Sequence, residues 1–399
     1  MKAAPRRWRR RLALAGGLLA ALTAGVWYGV NHTSWMGPLV ADGLRSVLGP
    51  RVVAWAEDTA YGLQDRVNRW RYRDAKPKTF WEPPPAEPLP LPPPAPSGAS
   101  DAPAEPVFAP ASFTPPFAEV AATGDGTWAA IPDPSDPAST PLLFRALVHP
   151  DARRGFAALA VVAIDRESTA LHLVAGTTEP ESPRVPRTER PGAILSEHHS
   201  SLVAAFNGGF KATHGQYGML LDGKEYLPPI DYSCTLVHYR DGRVSIAPWS
   251  ILKGSGIGDM LFYRQTPPCL VQKGEVEKVV ESTGEYSKGW GATVSGETVI
   301  RRSSIGISED GRTLFYGIGD AMTAQSLARG MKAAGAHSAA ELDVNYSYPR
   351  FLLYTRSEGA PPRATSSIIP SVDFTKDQYV SPSPRDFFYL TREKKKKPS

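Results

Sequence analysis

Residues 299–318 read VIRRSSIGISEDGRTLFYGI. Two runs rich in Val, Ile and aromatic residues, 299–307 and 314–318, stand on either side of Asp310-Gly311. β-Branched and aromatic side chains suit a pleated, half-buried surface, and Asp-Gly between two such runs has the composition of a tight hairpin turn. The stretch therefore predicts two antiparallel strands. The pattern recurs at 156–164, 170–174, 202–206, 234–239, 244–247 and 351–354, with a second Asp-Gly at Asp241-Gly242. One helix is expected, at 323–334: Thr323 can cap it, Leu327, Ala328 and Met331 form its apolar stripe, and Gly335 can close it. Without an internal repeat, the pattern implies an α+β fold, a single domain with a largely antiparallel mixed sheet and few flanking helices, over residues 117–390.

The chain ahead of this domain changes character three times. Arg6 to Arg11 form a basic cluster, and Leu12 to Val30 follow without a charged side chain. About nineteen helical residues at 1.5 Å each nearly cross a bilayer core. Residues 1–33 are thus expected to be a cytoplasmic basic end and a transmembrane or signal-anchor helix. The arginines would stay inside and send the main domain out of the cytoplasm, to a periplasmic or extracellular location, secreted if the signal is cleaved. Residues 34–76 mix apolar and charged side chains at helical intervals, broken at Pro38 and Pro50. They predict amphipathic juxtamembrane helices that can lie on the membrane or bind an envelope protein partner. Residues 77–116 are proline-rich, a semi-rigid spacer. Residues 391–399 form a basic tail.

The whole chain has 399 residues, 42% hydrophobic and 21% charged, with a formal charge of +5. That charge is concentrated at the two ends, which leaves the body at about −5. A nucleic-acid groove needs its basic residues on the folded domain, so nucleic-acid binding is excluded as a first reading. No G-x-S-x-G elbow, P-loop or C-x-x-C is present, and Gly254 to Gly258 miss the dinucleotide spacing, so no cofactor is expected. The pair His198-His199 beside Glu197 does not make a metal motif, because neighbouring strand residues face opposite ways. Cys234 and Cys269 can form one disulfide in an oxidising compartment or remain two buried thiols.

Three segments can carry chemistry. Ala204 to Phe210 is an apolar strand that ends in Asn207-Gly208-Gly209, a turn able to expose backbone N–H groups and one amide. Gly215 to Lys224 ends in Leu221-Asp222-Gly223-Lys224 and contains Gly-x-x-x-Asp-Gly, with Asp222 as a turn former. The third holds Arg301-Arg302, Asp320 and then Glu341-Leu342-Asp343. If 339–344 is extended, Glu341 and Asp343 share a face about 7 Å apart and can divide acid and base roles in sugar transfer, or stand solvated at a strand end. His214 is a further candidate from its place near the first turn.

The order of these segments resembles the phosphodiester glycosidase family, over roughly 157–354. The resemblance implies hydrolysis of a sugar-1-phosphodiester, freeing the sugar and leaving a phosphomonoester. It matches Asn207, Gly208 and Gly209 to the family's Asn-Gly-Gly turn, Arg302 or Arg301 to its arginine before Ile-Gly, and Asp343 to its Leu-Asp. Where the family continues with a glycine run, this chain has Val344, Asn345 and Tyr346, and Glu341 stands where many relatives carry Asn.

The expected site therefore has Asp343, Glu341 and Asn207 as catalytic residues. Asp343 would be nucleophile, general base or stabiliser of oxocarbenium character, and Glu341 a second acid/base. Arg301, Arg302, Gly208, Gly209, Asp320 and His214 would bind a glycan or glycolipid phosphodiester, with no metal. The alternative is a non-catalytic polysaccharide-binding or envelope assembly protein that retains the fold.

Overall fold

In the computed structural model, residues 50–82, 108–281 and 298–393 are described, together with Gly17 and Gly25. The expected membrane segment at 12–30, the core of the proline-rich spacer and the lysines of the tail lie outside the described residues, apart from those two glycines. Among the described residues no helix is long and apolar enough to cross a membrane. The chain divides into two compact units, Met1–Glu57 and Asp58–Ser399.

Among the described residues of the second unit, eighteen strands form three sheets. The largest has eight: β1 (Ala129–Ile131), β2 (Leu143–Val148), β3 (Leu159–Asp165), β14 (Thr313–Met322), β13 (Ile300–Ile307), β15 (Ser338–Val344), β11 (Val271–Gln272) and β12 (Glu275–Val276), in that spatial order. A second runs β7 (Lys224–Leu227), β6 (Met219–Leu221), β10 (Met260–Thr266), β8 (Cys234–Tyr239) and β9 (Val244–Pro248). The third runs β17 (Ala360–Ser367), β16 (Phe351–Ser357), β5 (Leu202–Asn207), β18 (Phe387–Arg392) and β4 (Thr169–Val174). Every strand pairing among the described residues is antiparallel, which corrects the expected mixed sheet. The hairpins at Asp241-Gly242 and Asp310-Gly311 join β8 to β9 and β13 to β14 as the sequence predicts.

The largest sheet is buried on both faces, and its strands alternate accordingly. In β3, Ala160, Val162 and Ile164 face a core shared with the other two sheets, while Leu159, Val161 and Ala163 face the helix Ala324–Ala333. That is why this strand is a continuous apolar run rather than an alternating one. Thr323 caps the helix, and its partner in the capping box is Ser326. Leu327, Ala328 and Met331 are fully buried on the sheet. A side chain at Gly330 would meet Leu159 at 2.4 Å, so glycine sets how closely the helix approaches.

The compact body begins at Asp58, ahead of the boundary near 117 that composition sets. The helix Pro50–Arg71 starts on a proline, which is tolerated in a first helical turn. Its Asp65 receives two hydrogen bonds of 2.8 Å from Arg154, which is buried and also donates to Asp151. Cys234 and Cys269 form a disulfide, which decides between the two readings of the cysteines.

Candidate functional site

Strand β5 ends at Asn207 beside the start of β18, and Gly208-Gly209 then run between Asp386 and the end of β15. Gly208 N–H donates to the Asp386 carbonyl at 3.0 Å, and Asp343 N–H donates to the Gly208 carbonyl at 3.1 Å. A Cβ on Gly208 would fall 2.3 Å from Asp386 Oδ2, and one on Gly209 would fall 2.8 Å from Arg264 Cζ. Both glycines are therefore needed for close approach. Beneath the turn, Arg264 Nε donates to Asp386 Oδ2 at 2.9 Å, and the same oxygen accepts from Gly209 N–H at 3.0 Å. Both charged partners are buried, and Arg264 also donates to the carbonyls of Phe210 and Tyr217. The pair acts as a rigid clamp under the turn.

A cavity of about 60 Å³ opens above this clamp, with Gly209, Asp343, Tyr348, Arg350, Tyr379 and Arg385 among its walls. Asp343 is 4% exposed. Its Oδ1 accepts from the Val344 N–H at 2.9 Å, and its Oδ2 accepts from Arg385 Nη2 at 2.5 Å. Burial raises the Asp343 carboxyl above the ordinary carboxylate range, against the opposing pull of the Arg385 guanidinium. Burial alone would lower Arg385, but Asp343 and Asp386 outweigh it and keep the guanidinium charged. Arg385 Nη2 also donates to the Gly209 carbonyl, and the guanidinium lies 4.4 Å over the Tyr348 ring. Its Nε is buried with no hydrogen-bond partner among the described residues.

Asn207 lines the cavity, and its amide is built into the framework. It donates to Ser303 Oγ at 2.9 Å and to the Gly208 carbonyl, and accepts from the Tyr316 hydroxyl at 2.7 Å and the Arg350 N–H. The other residues singled out in the sequence lie elsewhere. Arg302 and Glu341 form a separate fully buried pair at 2.6 Å. Burial, opposed by that guanidinium, pushes Glu341 up to about 7. Between Arg302 and Ser304 the register with β15 slips, so Glu341 and Asp343 do not stand in unbroken alternation and meet different arginines. Arg301 donates to Asp320 at 2.7 Å and to the Ser371 and Tyr346 carbonyls. His214 is exposed on the short turn Ala212–His214. None of these five lines the cavity. The positive φ that a glycine run would supply falls on Asn345, at 148°, and Val344 remains in the strand. Among the described residues no group of three His, Cys, Asp or Glu side chains is placed to hold a metal.

Sequence reasoning did not find Arg385, Asp386, Arg350 or Tyr379. Arg264, a lone charge inside the apolar run of β10, was one available signal, since such a charge needs a buried partner. Ser-Pro-Arg-Asp before β18 contains no motif that could have marked the rest. Tyr379 holds φ of 65°, a strained conformation for a bulky residue, at the cavity wall.

Residues 200–343 match the model of the phosphodiester glycosidase family. The resemblance to that family is thereby shown over this stretch, which holds Asn207-Gly208-Gly209 and ends at Asp343. The match ends at Asp343, so the cavity wall from Tyr348 to Asp386 lies beyond it. Among solved structures, the zebrafish N-acetylglucosamine-1-phosphodiester alpha-N-acetylglucosaminidase catalytic domain, auto-inhibited by its pro-peptide, is 15% identical, with a TM-score of 0.40 over 67% of this chain and 88% of that one. A hypothetical protein from Synechocystis is 10% identical, with a TM-score of 0.34 over 63% of this chain and 62% of that one. No curated protein matches the chain.

Proposed function

We propose that the domain is an envelope-exposed glycoside hydrolase that cleaves a sugar-1-phosphodiester in a glycan or glycolipid. The observation that carries this reading is Asp343 held against Arg385 in a cavity whose floor is the Asn207-Gly208-Gly209 turn. The Arg385 guanidinium in the cavity wall is suited to an anionic phosphodiester through charge-assisted hydrogen bonds. In the reaction the bond between the anomeric carbon and the phosphate oxygen breaks, and its electron pair leaves with the phosphomonoester. A water oxygen adds to the anomeric carbon and gives up a proton. Of the two carboxylates that line the cavity, Asp386 is engaged beneath the turn by Arg264 and the Gly209 N–H, and Asp343 is the one placed to take that proton or to stabilise oxocarbenium character. A phosphate is a good leaving group, so the chemistry does not require a second carboxyl beside Asp343. This agrees with the position of Glu341 in its own buried pair.

Envelope exposure is supported by the basic cluster before residues 12–30 and by the Cys234–Cys269 disulfide, which suits an oxidising compartment. One observation favours a non-catalytic polysaccharide-binding role: Arg385 already neutralises Asp343. The test is to incubate the full chain with N-acetylglucosamine-1-phosphodiesters, measure free sugar, and compare Asp343→Asn. Release that disappears in the variant establishes the hydrolase. Saturable glycan binding without product establishes the binding role.

A further inference from the structure

The helix Pro50–Arg71 has two opposite faces between Asp58 and Arg71. Its inner face is marked by Asp65, 6% exposed and held by Arg154. On the other side Leu63, Val67 and Trp70 are 57%, 49% and 77% exposed. Their spacing of four and then three residues places them in one narrow stripe, and at 3.6 residues per turn that stripe is turned about 170° from Asp65. Arg66 and Arg71 lie to either side of it, both exposed. Lys76 and Lys78 follow just past the helix and are also exposed. A solvated helix face has no reason to present a Leu, a Val and a Trp in register, and the helix is already fixed to the body through its other side.

We propose that this stripe docks on the lipid–water interface of an anionic bilayer, with Arg66 and Arg71 reaching the phosphate headgroups. The side-chain set fits that occupant. Trp favours the headgroup level, aliphatic side chains enter the acyl boundary, and flanking arginines extend their charged heads back towards phosphate. Charge selects the same face. The body of the chain carries about −5, so an anionic surface repels it, whereas the segment 66–78 is rich in Arg and Lys. Position in the chain agrees as well. The uncharged run that ends at Val30 is separated from Pro50 by residues 31–49. At no more than about 3.5 Å per residue, this tether reaches about 65 Å, so a membrane-inserted run would hold the stripe near the bilayer. One interfacial helix binds weakly, and such tethering gives it the effective concentration it needs. Through Asp65 and Arg154 the docked helix would then fix how the domain faces the membrane. The inference does not depend on the hydrolase reading.

The test uses the full chain reconstituted in vesicles of phosphatidylcholine with phosphatidylglycerol. Nitroxide labels are placed singly at Leu63→Cys, Val67→Cys and Trp70→Cys, with exposed Glu309→Cys as the aqueous reference. Oxygen, which partitions into lipid, and a water-soluble nickel chelate are compared as relaxing agents. The expected result is a several-fold higher oxygen-to-nickel ratio at the three stripe positions than at Glu309, decreasing when phosphatidylglycerol is left out. Water-like accessibility at all three overturns the proposal. So does low accessibility to both agents, which would mean burial against protein, and spin–spin broadening lost on dilution with unlabelled chain would identify that protein as a second copy.

Discussion

Arg385 and Asp343 are 42 residues apart in the chain and meet at 2.5 Å between Nη2 and Oδ2, on the wall of the cavity above the Asn207-Gly208-Gly209 turn. Asp343 lies near the end of β15 and is the last residue of the family-matched stretch, and Arg385 lies beyond that stretch, just ahead of β18. The contact therefore joins the last residue of the matched stretch to a cation supplied from beyond it.

Replacing Asp343 by Asn keeps the size and the acceptor oxygen facing Arg385 but removes the charge and the base. Sugar release from N-acetylglucosamine-1-phosphodiesters is expected to fall by about a hundredfold or more in kcat, with the folded state retained by circular dichroism. Undiminished turnover would take Asp343 out of the mechanism.

Arg385→Gln removes the cation that opposes burial at Asp343. Two effects are expected together. KM for an anionic diester rises about tenfold or more, because a charge-assisted contact is lost. The Asp343 carboxyl rises further, so the acid limb of kcat/KM moves to higher pH. A variant with raised KM but an unmoved acid limb would separate anion binding from Asp343.

Glu341 gives a pH dependence of stability with a defined sign. Its folded value is about 7 against an ordinary 4.5, because burial outweighs Arg302. A raised value means that the folded state holds the proton more tightly. The stability this provides is complete below about 4.5 and is lost as pH rises through about 7. Unfolding free energies of wild type and Glu341→Gln from urea titration should therefore diverge across that window, by an amount on the order of a few kcal/mol, and run parallel outside it. Parallel curves throughout would show that Arg302 keeps Glu341 at an ordinary value.

Asn207→Ala tests framework against chemistry. The substitution leaves the Tyr316 hydroxyl, the Arg350 N–H and Ser303 Oγ without their amide partner inside the protein. A loss of about 2–4 kcal/mol is expected from denaturant unfolding, together with lower activity. Wild-type stability with lost turnover would instead make the amide a substrate ligand.

Reduction of the Cys234–Cys269 bridge, or Cys234→Ser, opens a loop spanning a sequence separation of 35. Chain-entropy reasoning gives a cost of about 4 kcal/mol. The check is a lower unfolding midpoint under reducing conditions, which Cys234→Ser should reproduce without any further effect of reductant.

Local chemistry made part of the framework readable, while short or polar strands such as β1, β6, β11, β12 and β17 carried no such signal. The Asp-Gly hairpins, the apolar runs and the Thr323 cap each depend on neighbours a few residues away, and the strands and the helix stand where those signals put them. Asn207, Gly208 and Gly209 were marked by a turn composition and Asp343 by the family resemblance, and all four line the cavity. What the tertiary structure alone decided is which charges meet. Arg301 and Arg302 are adjacent on one strand, and the fold gives one to Asp320 and the other to Glu341. Arg264 finds Asp386 from 122 residues away, and Arg154 finds Asp65 from 89. The periodicity of a strand says which side a side chain takes, whereas its partner depends on strand order and register across sheets. A single sequence holds the first in its alternation; only the closed packing of three sheets fixes the second.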